Sequence, residues 1–285
     1  MHESPASHVP RTAEGAARRL WSHTPVGSAR SDHPPGEARY FADLRAYRYG
    51  YETPFIPRFF DFGRMKDCRV LEIGVGNGID AAEMARHGAI YAGIDITPRH
   101  IELTRQNFAV SGLPPPRILC GNLLETDVGG PFDFIYSFGV LHHVGPEADY
   151  LRRACRLLAP QGRLLIGVYS KYSFFNAYLL ATWSLRAGRG VTLDDWRSHC
   201  AELSPLGDPV TIRIRSRREM QSLLRECGFE VKRYEKRGFV QAYIPVFGRW
   251  LSPDGATLNT CGAALGWYHL FECAAARTSG GGTER

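Results

Sequence analysis

Three glycines at alternate positions follow a short apolar run in the segment Cys68 to Asp80, CRVLEIGVGNGID. A backbone with glycine at Gly74, Gly76 and Gly78 can turn sharply and approach a ligand without a Cβ atom in the way. Glu72, two residues before the first glycine, offers a carboxylate to an ammonium or hydroxyl group. The run, the turn and the helix that follows predict a ligand-binding site, and the helix N-terminus favours negative or electron-rich groups.

The glycine spacing distinguishes between two kinds of nucleotide site. A dinucleotide fingerprint, GxGxxG, needs a third glycine where this chain has Ile79, so a nicotinamide cofactor is excluded. The second predicted strand, Ile90 to Asp95, ends in an acid about twenty residues after the glycines, where acidic side chains meet ribose hydroxyls. Asp95 alone could instead cap the helix that starts near Pro98. The order of strand, glycine turn, helix, strand and terminal acid favours a ribose-binding role for Asp95.

Strand and helix patterns alternate along the segment that must position these residues. The run Arg69–Ile73 alternates too little for a half-exposed strand and fits a strand buried on both faces. This alternation predicts a doubly wound α/β sheet with right-handed crossovers, which binds ligands at the carboxyl ends of its strands. The further predicted strands are Ile90–Asp95, Arg117–Gly121, Phe132–Ser137, Arg163–Tyr169, Thr211–Ile214, Phe229–Tyr234 and Trp267–Ala275.

The patterns VLEIGxGxG, GIDxT, FDxIYSxGVLHH and LLAPxGRLLI resemble those of class I S-adenosylmethionine-dependent methyltransferases, in particular the small-molecule group. The resemblance covers residues 69–169, with weaker similarity at 216–231. It implies S-adenosylmethionine as cofactor and a Rossmann-like, mostly parallel seven-stranded sheet with an antiparallel last strand. The family more often has Asp where this chain has Asn122, which implies a different contact to the adenine amino group. The resemblance places Glu72, Gly74, Gly76 and Gly78 at the methionine part, Asp95 at the ribose, and Ile96, Asn122 and Leu123 at adenine, with Phe138 also in the cofactor site.

Methyl transfer needs an acceptor in line with the sulfonium methyl, exclusion of water and often a base. The predicted catalytic residues follow the fourth and fifth strands and are His142, His143 and Tyr169. Either histidine could activate a hydroxyl or ammonium group near neutral pH, and we expect His142 to do so. The alternative is that LHH, common in the resembled family, serves the fold or contacts the cofactor.

Two aromatic segments are candidates for covering the site. Aromatic residues between residues 38 and 66 recur at three- or four-residue spacing on one helix face. In the resembled family an N-terminal helix here closes over cofactor and substrate, although these residues could equally pack against the sheet. The insertion at 171–210 is long for a connection and could form a lid, an interface or its own small core. The expected substrate residues are Tyr40, Tyr47, Arg48, Lys171 and Tyr172.

The domain organisation follows from these patterns and from the polar ends of the chain. We expect a flexible extension at 1–37, a helical lid at 38–66, the cofactor-binding core at 67–170, the insertion at 171–210, completion of the sheet at 211–277 and a disordered tail at 278–285.

Composition limits the partners and the compartment. No apolar run approaches the roughly 20 residues that span a bilayer, and the N-terminus lacks a signal-peptide core, so we expect a cytoplasmic protein with no membrane partner. Seven cysteines without a CxxC pair predict small buried hydrophobes and no metal site. The net charge of +6 is partly local to TIRIRSRRE and the basic residues that follow it. Such a cluster could attract an anionic substrate or nucleic acid, but it is more typical of a solvated face, and no nucleic-acid signature accompanies it.

The leading prediction is methyl transfer to O, N or C of a small, partly apolar metabolite. The chain lacks an NPPY-type tetrapeptide after the fourth strand, so nucleic-acid bases are not expected as acceptors. Abundant Ala, Arg and Gly suggest bacterial secondary metabolism. Two alternatives are an S-adenosylmethionine-binding enzyme of non-methylating chemistry, such as a cyclase, and a non-catalytic binding protein. The oligomeric state, including a homodimer, stays open.

Overall fold

Strand β1, Arg69–Ile73, lies inside the sheet, and its residues after Arg69 are all buried. The structure is a computed structural model that describes residues 13–187, 210 and 212–276. The remaining strands are β2 (Ile90–Asp95), β3 (Arg117–Cys120), β4 (Phe132–Phe138), β5 (Leu158–Tyr169), β6 (Phe229–Arg237) and β7 (Tyr268–Ala275). They form one seven-stranded sheet in the order β3-β2-β1-β4-β5-β7-β6.

Strands β1 to β5 run parallel, and β7 is antiparallel to both of its neighbours, β5 and β6. The predicted mostly parallel seven-stranded sheet with an antiparallel last strand is therefore confirmed. The strand expected at Thr211–Ile214 is wrong for its described part, because Ile212 and Ile214 are buried without strand pairing. Only Arg215 pairs there, in an isolated parallel bridge with Ser170.

Helices cover both faces of the sheet and the edge above its strand ends. They are α1 (Ala13–His23), α2 (Ala38–Tyr47), α3 (Ile56–Phe60), α4 (Ile79–Arg86), α5 (Pro98–Val110), α6 (Glu147–Leu157), α7 (Phe174–Ala187), α8 (Arg217–Glu226) and α9 (Ala256–Leu265). A π-helical turn, Arg48–Glu52, continues α2. Helix α8 begins with a capping box, in which Ser216 and Glu219 satisfy each other's backbone N–H groups.

Adjacent residues of the central strands pack into two different apolar clusters, because side chains alternate between the two faces of a sheet. Leu71 and its register partner Ile135 belong to the cluster beneath α6 and α8. Val70 and its partner Phe134 belong to the opposite cluster, which α3 joins through Phe59. Within the described residues the central strands are thus covered on both faces, which leaves their ends for ligand binding.

The segment expected to be a flexible extension contains helix α1. Ala16 and Ala17 are buried in a cluster with Val210, and Trp21 packs against the same cluster. The small residues let the helix approach closely, a tertiary contact that a polar composition does not reveal. Residues 1–12, 188–209, 211 and 277–285 lie outside the described residues. They include most of the insertion expected at 171–210 and all of the expected tail.

Candidate active site

A cavity of about 250 Å³ opens at the carboxyl ends of β1, β2 and β4. Gly74, Asp95 and Phe138 line it at the three strand ends. Trp21 of α1 and Arg48 of the π-helical turn line it from the N-terminal segments. The cavity therefore lies at the edge of the sheet where the sequence predicts the ligand.

The glycine turn after β1 has a left-handed backbone at all three glycines, with φ of 81° at Gly74, 54° at Gly76 and 71° at Gly78. A Cβ atom on Gly74 would lie 2.1 Å from a methyl group of Val140, and one on Gly78 would lie 2.6 Å from Thr104. A Cβ atom on Gly76 would meet nothing within 4 Å. Gly74 and Gly76 line the cavity, whereas the space at Gly78 is taken by helix packing.

Glu72 is the least compensated of three buried carboxylates that line the cavity. Its one hydrogen bond among the described contacts comes from the Tyr91 hydroxyl, at 2.6 Å. Burial raises the pKa of Glu72 well above its ordinary value, and the nearby negative charge of Asp80 raises it further. The carboxyl group therefore takes up a proton more readily than an exposed one, and a bound cation would oppose this.

Asp80, in the first turn of α4, accepts hydrogen bonds from three side chains. Arg48 donates to both carboxylate oxygens, from Nε to Oδ1 at 2.7 Å and from Nη2 to Oδ2. The hydroxyls of Tyr49 and Tyr136 each donate at 2.6 Å. Burial opposes ionisation, but Arg48 and the two tyrosines hold the pKa of Asp80 below its ordinary value. The sequence analysis missed this network, since its members are far apart in the chain.

Asp95, at the end of β2, is fixed by three donors. Its Oδ1 accepts from the backbone N–H of Thr97 at 2.8 Å, and its Oδ2 accepts from Gly76 N and His100 Nδ1, both at 3.2 Å. Burial acts against ionisation, but His100 and the backbone donors lower the pKa of Asp95. Asp95 thus connects the glycine turn to the start of α5.

The remaining expected cofactor residues divide into two groups. Ile96, Leu123 and Phe138 line the cavity. Asn122 is not among the lining residues, and its Oδ1 accepts instead from Tyr150 Oη at 2.7 Å and from the Leu124 backbone at 2.8 Å.

The two neighbouring histidines take different positions. His143 and Tyr169 line the cavity, and the Trp21 ring meets the His143 ring edge-on, with centroids 6.1 Å apart. His142 is 1% exposed, does not line the cavity and stacks on Tyr169 at 3.7 Å between ring centroids. Burial, with His143 adding to it, lowers the pKa of His142 well below its ordinary value. Tyr169 is sandwiched between His142 and Trp267, whose ring lies 4.4 Å away.

The expected substrate residues are only partly brought together. Tyr47 and Arg48 line the cavity, but Tyr40 is fully buried with Phe41 and Leu44 beside α4 and α5. Neither Lys171 nor Tyr172 lines the cavity. The Lys171 ammonium lies 3.5 Å from Glu219, and the Tyr172 side chain is 67% exposed. The part of the insertion that holds Asp194, Asp195 and Trp196 lies outside the described residues.

Three further polar side chains line the cavity with atoms left unpaired. Asn77 Oδ1, Thr97 Oγ1 and His100 Nε2 are buried and have no hydrogen-bond partner among the described residues. Buried polar atoms are normally paired, so these three are unusual groups beside the cavity. The sequence analysis did not select them, because each also fits an ordinary turn or helix start.

Within the described ranges, no helix is long and apolar enough to cross a membrane. The same part of the chain has no group of three His, Cys, Asp or Glu side chains placed to hold a metal ion.

Comparison with known proteins supports the interpretation of this geometry. Residues 41–234 match the family model described as a methyltransferase domain. The ubiquinone biosynthesis O-methyltransferase of Caulobacter sp. (strain K31) is 30% identical over 104 residues, which are 36% of this chain and 41% of that protein. The protein of the same description from Roseobacter denitrificans is 27% identical over 202 residues, which are 70% of this chain and 74% of that protein.

The chain covers 41%, 54% and 65% of the lengths of the first three curated relatives it matches. Among solved structures, magnesium protoporphyrin IX methyltransferase from Synechocystis PCC 6803 with bound SAH is similar with a TM-score of 0.55 and 13% identity. That match covers 91% of this chain and 93% of the other. At such identity the likeness shows a common fold.

Proposed function

This chain belongs to the class I S-adenosylmethionine-dependent methyltransferases, and we propose that it transfers the cofactor's methyl group to an oxygen of a small, partly apolar metabolite. The observation that carries the proposal is the single cavity that joins the glycine turn and its carboxylates to the wall of His143 and Tyr169. One cavity can therefore hold the methyl donor and present an acceptor to it.

The residues of the cavity fit S-adenosylmethionine. Glu72 offers a buried carboxylate to an ammonium group, and Asp95 lies at the strand end suited to ribose. Gly76 leaves open space where a side chain would project, so a ligand can lie against the backbone. Asn77 and Thr97 add unpaired polar atoms. When bound, the cofactor supplies an electrophilic methyl group on its sulfonium.

The chain's own residues orient the acceptor and receive its proton. Trp21 and Tyr169 give the cavity an aromatic wall that suits a planar or apolar acceptor. His143 lines the same wall and accepts the proton of the acceptor hydroxyl as its oxygen forms the new bond to carbon. His142 was the expected base, but its position behind Tyr169 supports a packing role. Helix α1 helps to keep water from the reacting groups.

The choice of oxygen as acceptor atom is supported by the curated relatives, which are described as O-methyltransferases. His143 is consistent with it, because a hydroxyl group needs a base more than an uncharged amine does. The Ala-, Arg- and Gly-rich composition supports a role in bacterial secondary metabolism as part of the proposal.

Calorimetric titration with S-adenosylmethionine, and separately with its demethylated product, tests the cofactor site first. We expect both ligands to bind. Hydroxylated aromatic and polyketide-like acceptors are then screened by mass spectrometry for gain of a methyl group with matching formation of S-adenosylhomocysteine. Conversion of an acceptor while the cofactor stays intact would instead favour the non-methylating alternative. Binding of neither ligand would contradict the proposed function.

A further inference from the structure

An exposed apolar segment follows the carboxyl end of β6. In residues 245–250, called the aromatic tip below, Val246, Phe247 and Trp250 are 69%, 67% and 63% exposed. The rings of Phe247 and Trp250 lie together, with their centroids 5.8 Å apart. Single exposed apolar residues are ordinary in proteins, but a cluster of large ones in one short segment indicates an interaction surface.

The backbone of the aromatic tip is held in place by hydrogen bonds. The Gly248 N–H donates to the carbonyl of Ile244 at 3.1 Å, and Gln241 donates through Nε2 to the carbonyl of Leu251 across the base of the tip. Gly248 is buried, and a Cβ atom there would clash with the Gln241 carbonyl. The fold therefore keeps the apolar side chains of the tip exposed to solvent.

Val246 has an unfavourable backbone conformation in the tip. Its φ is 66°, in the left-handed region, which is a genuine outlier for a β-branched residue. Glycine would adopt this conformation freely, and the exposed valine side chain gains no burial that would offset the strain. Strained residues of this kind occur mostly at functional sites. The apolar side chain at this position therefore indicates a role other than stability.

The charge around the tip is positive. Residues 236–253 contain Lys236, Arg237 and Arg249 and no acidic residue. Lys236 is buried and Arg237 is ion-paired, but Arg249 is exposed, with its guanidinium 4.4 Å from the centroid of the Trp250 ring. An exposed cation beside exposed aromatic rings is complementary to a surface that is anionic outside and apolar beneath.

An anionic bilayer fits this surface better than a second copy of the chain does. A stable interface between proteins takes about 20–30 residues on each side, far more than the tip provides. A symmetric contact between two tips would also bring the two Arg249 side chains together. At a membrane surface, in contrast, tryptophan lies at the headgroup level, phenylalanine reaches the acyl boundary and arginine meets anionic lipid.

We propose that the aromatic tip binds the surface of membranes that contain anionic phospholipid, with Phe247 and Trp250 in the headgroup region and Arg249 against lipid phosphate. The expectation of no membrane partner rests on spanning segments, which interfacial binding does not need. Because β7 is antiparallel to both β5 and β6, β6 runs parallel to β5, and the tip lies at the same edge of the sheet as the cavity. The inference goes beyond the proposed function and does not depend on it.

Sedimentation of the full chain with vesicles tests this inference. The probes are vesicles of phosphatidylcholine alone and vesicles of phosphatidylcholine and phosphatidylglycerol in equal parts. We expect the wild type to bind the second kind more tightly, and added salt to weaken that binding. F247S/W250S should bind anionic vesicles about tenfold more weakly, because it removes apolar area. R249Q should bind them about fivefold more weakly, the effect of one basic residue near an anionic surface.

Two further variants serve as controls. Ile90 is 60% exposed at the amino end of β2, at the opposite edge of the sheet, so I90T should bind vesicles as the wild type does. V246G should bind them more weakly while its urea midpoint stays the same or rises, because glycine relieves the left-handed backbone. F247S/W250S and R249Q should unfold at the wild-type midpoint, since these side chains are exposed.

Equal binding of the wild type to both kinds of vesicle, or binding to neither, would overturn the inference. Unchanged binding by F247S/W250S would overturn it as well. Light scattering without lipid provides a last test, since association of the wild type that F247S/W250S abolishes would assign the tip to contacts between copies of the chain. Failure to bind S-adenosylmethionine is a separate outcome, which contradicts only the proposed function.

Discussion

Arg48 and Asp80 form a bidentate ion pair in the wall of the cavity, and it joins the π-helical turn after α2 to the first turn of α4. The Asp80 side chain is 5% exposed and that of Arg48 is 18% exposed. One turn earlier, Arg45 forms a second bidentate pair with Glu83 of α4, at 2.9 and 3.0 Å, but its side chain is 49% exposed. Two pairs of the same geometry thus join α2 and its π-helical continuation to α4 in different surroundings.

We expect R48M to lower the free energy of unfolding by about 3–5 kcal/mol, because it leaves Asp80 charged and buried without its partner. R45M should cost at most about 1 kcal/mol, since an exposed pair contributes little. Urea unfolding of both variants measures the difference. Equal costs would show that burial does not determine the contribution of the first pair.

The second prediction concerns close approach of the cofactor to the glycine turn. Gly76 and Gly112 have φ of 54° and 65°, and at neither would a Cβ atom meet another atom within 4 Å. G76A and G112A should each cost about 1–2 kcal/mol of stability, because alanine disfavours left-handed backbone. Only G76A should weaken S-adenosylmethionine binding in calorimetry. Equal affinities of the two variants would remove Gly76 from the cofactor site.

The third prediction concerns the pH dependence of cofactor binding. The pKa of Glu72 is raised, so below it the free protein carries a proton that an ammonium ligand must displace. Affinity for S-adenosylmethionine should therefore rise with pH, by up to about tenfold per unit below this pKa, and level off above it. E72Q should bind without this dependence. 5′-Methylthioadenosine, which lacks the amino-acid part, serves as the control ligand, and a matching slope for it would contradict the assignment.

The fourth prediction separates the two histidines. H143A should lower the methyl-transfer rate by about 10²- to 10⁴-fold, the usual effect of losing a general base, while cofactor affinity stays unchanged. H142F removes two buried ring nitrogens that have no partner among the described residues and keeps a ring to stack on Tyr169. It should retain activity within severalfold. A larger loss in H142F than in H143A would restore the original assignment of His142 as base.

The strands and the glycine turn could be predicted because their signals are local. The apolar runs, the three alternating glycines and the acid at the end of β2 each occupy only a few consecutive residues. The Asp80 network has no such signal, because Arg48 precedes it by 32 residues and Tyr136 follows it by 56. Tyr136 stands in an apolar strand pattern, so the sequence predicts only packing for it.

The histidines illustrate a second limit of sequence reasoning. His142 and His143 lie in a 3-10 turn, Leu141–His143, in which successive side chains point in different directions. Which of the two histidines lines the cavity depends on how that turn is oriented against β5. No local sequence pattern predicts this orientation.

The insertion of β7 between β5 and β6 has a consequence for the growing chain on the ribosome. In the described sheet β6 pairs only with β7, yet it is synthesised about thirty residues before its partner. Until β7 emerges, β5 presents an open edge and β6 has no strand to join. Nascent chains that stall before Tyr268 therefore expose a strand edge that can pair with other chains. Chaperone binding at this stage would protect them from aggregation.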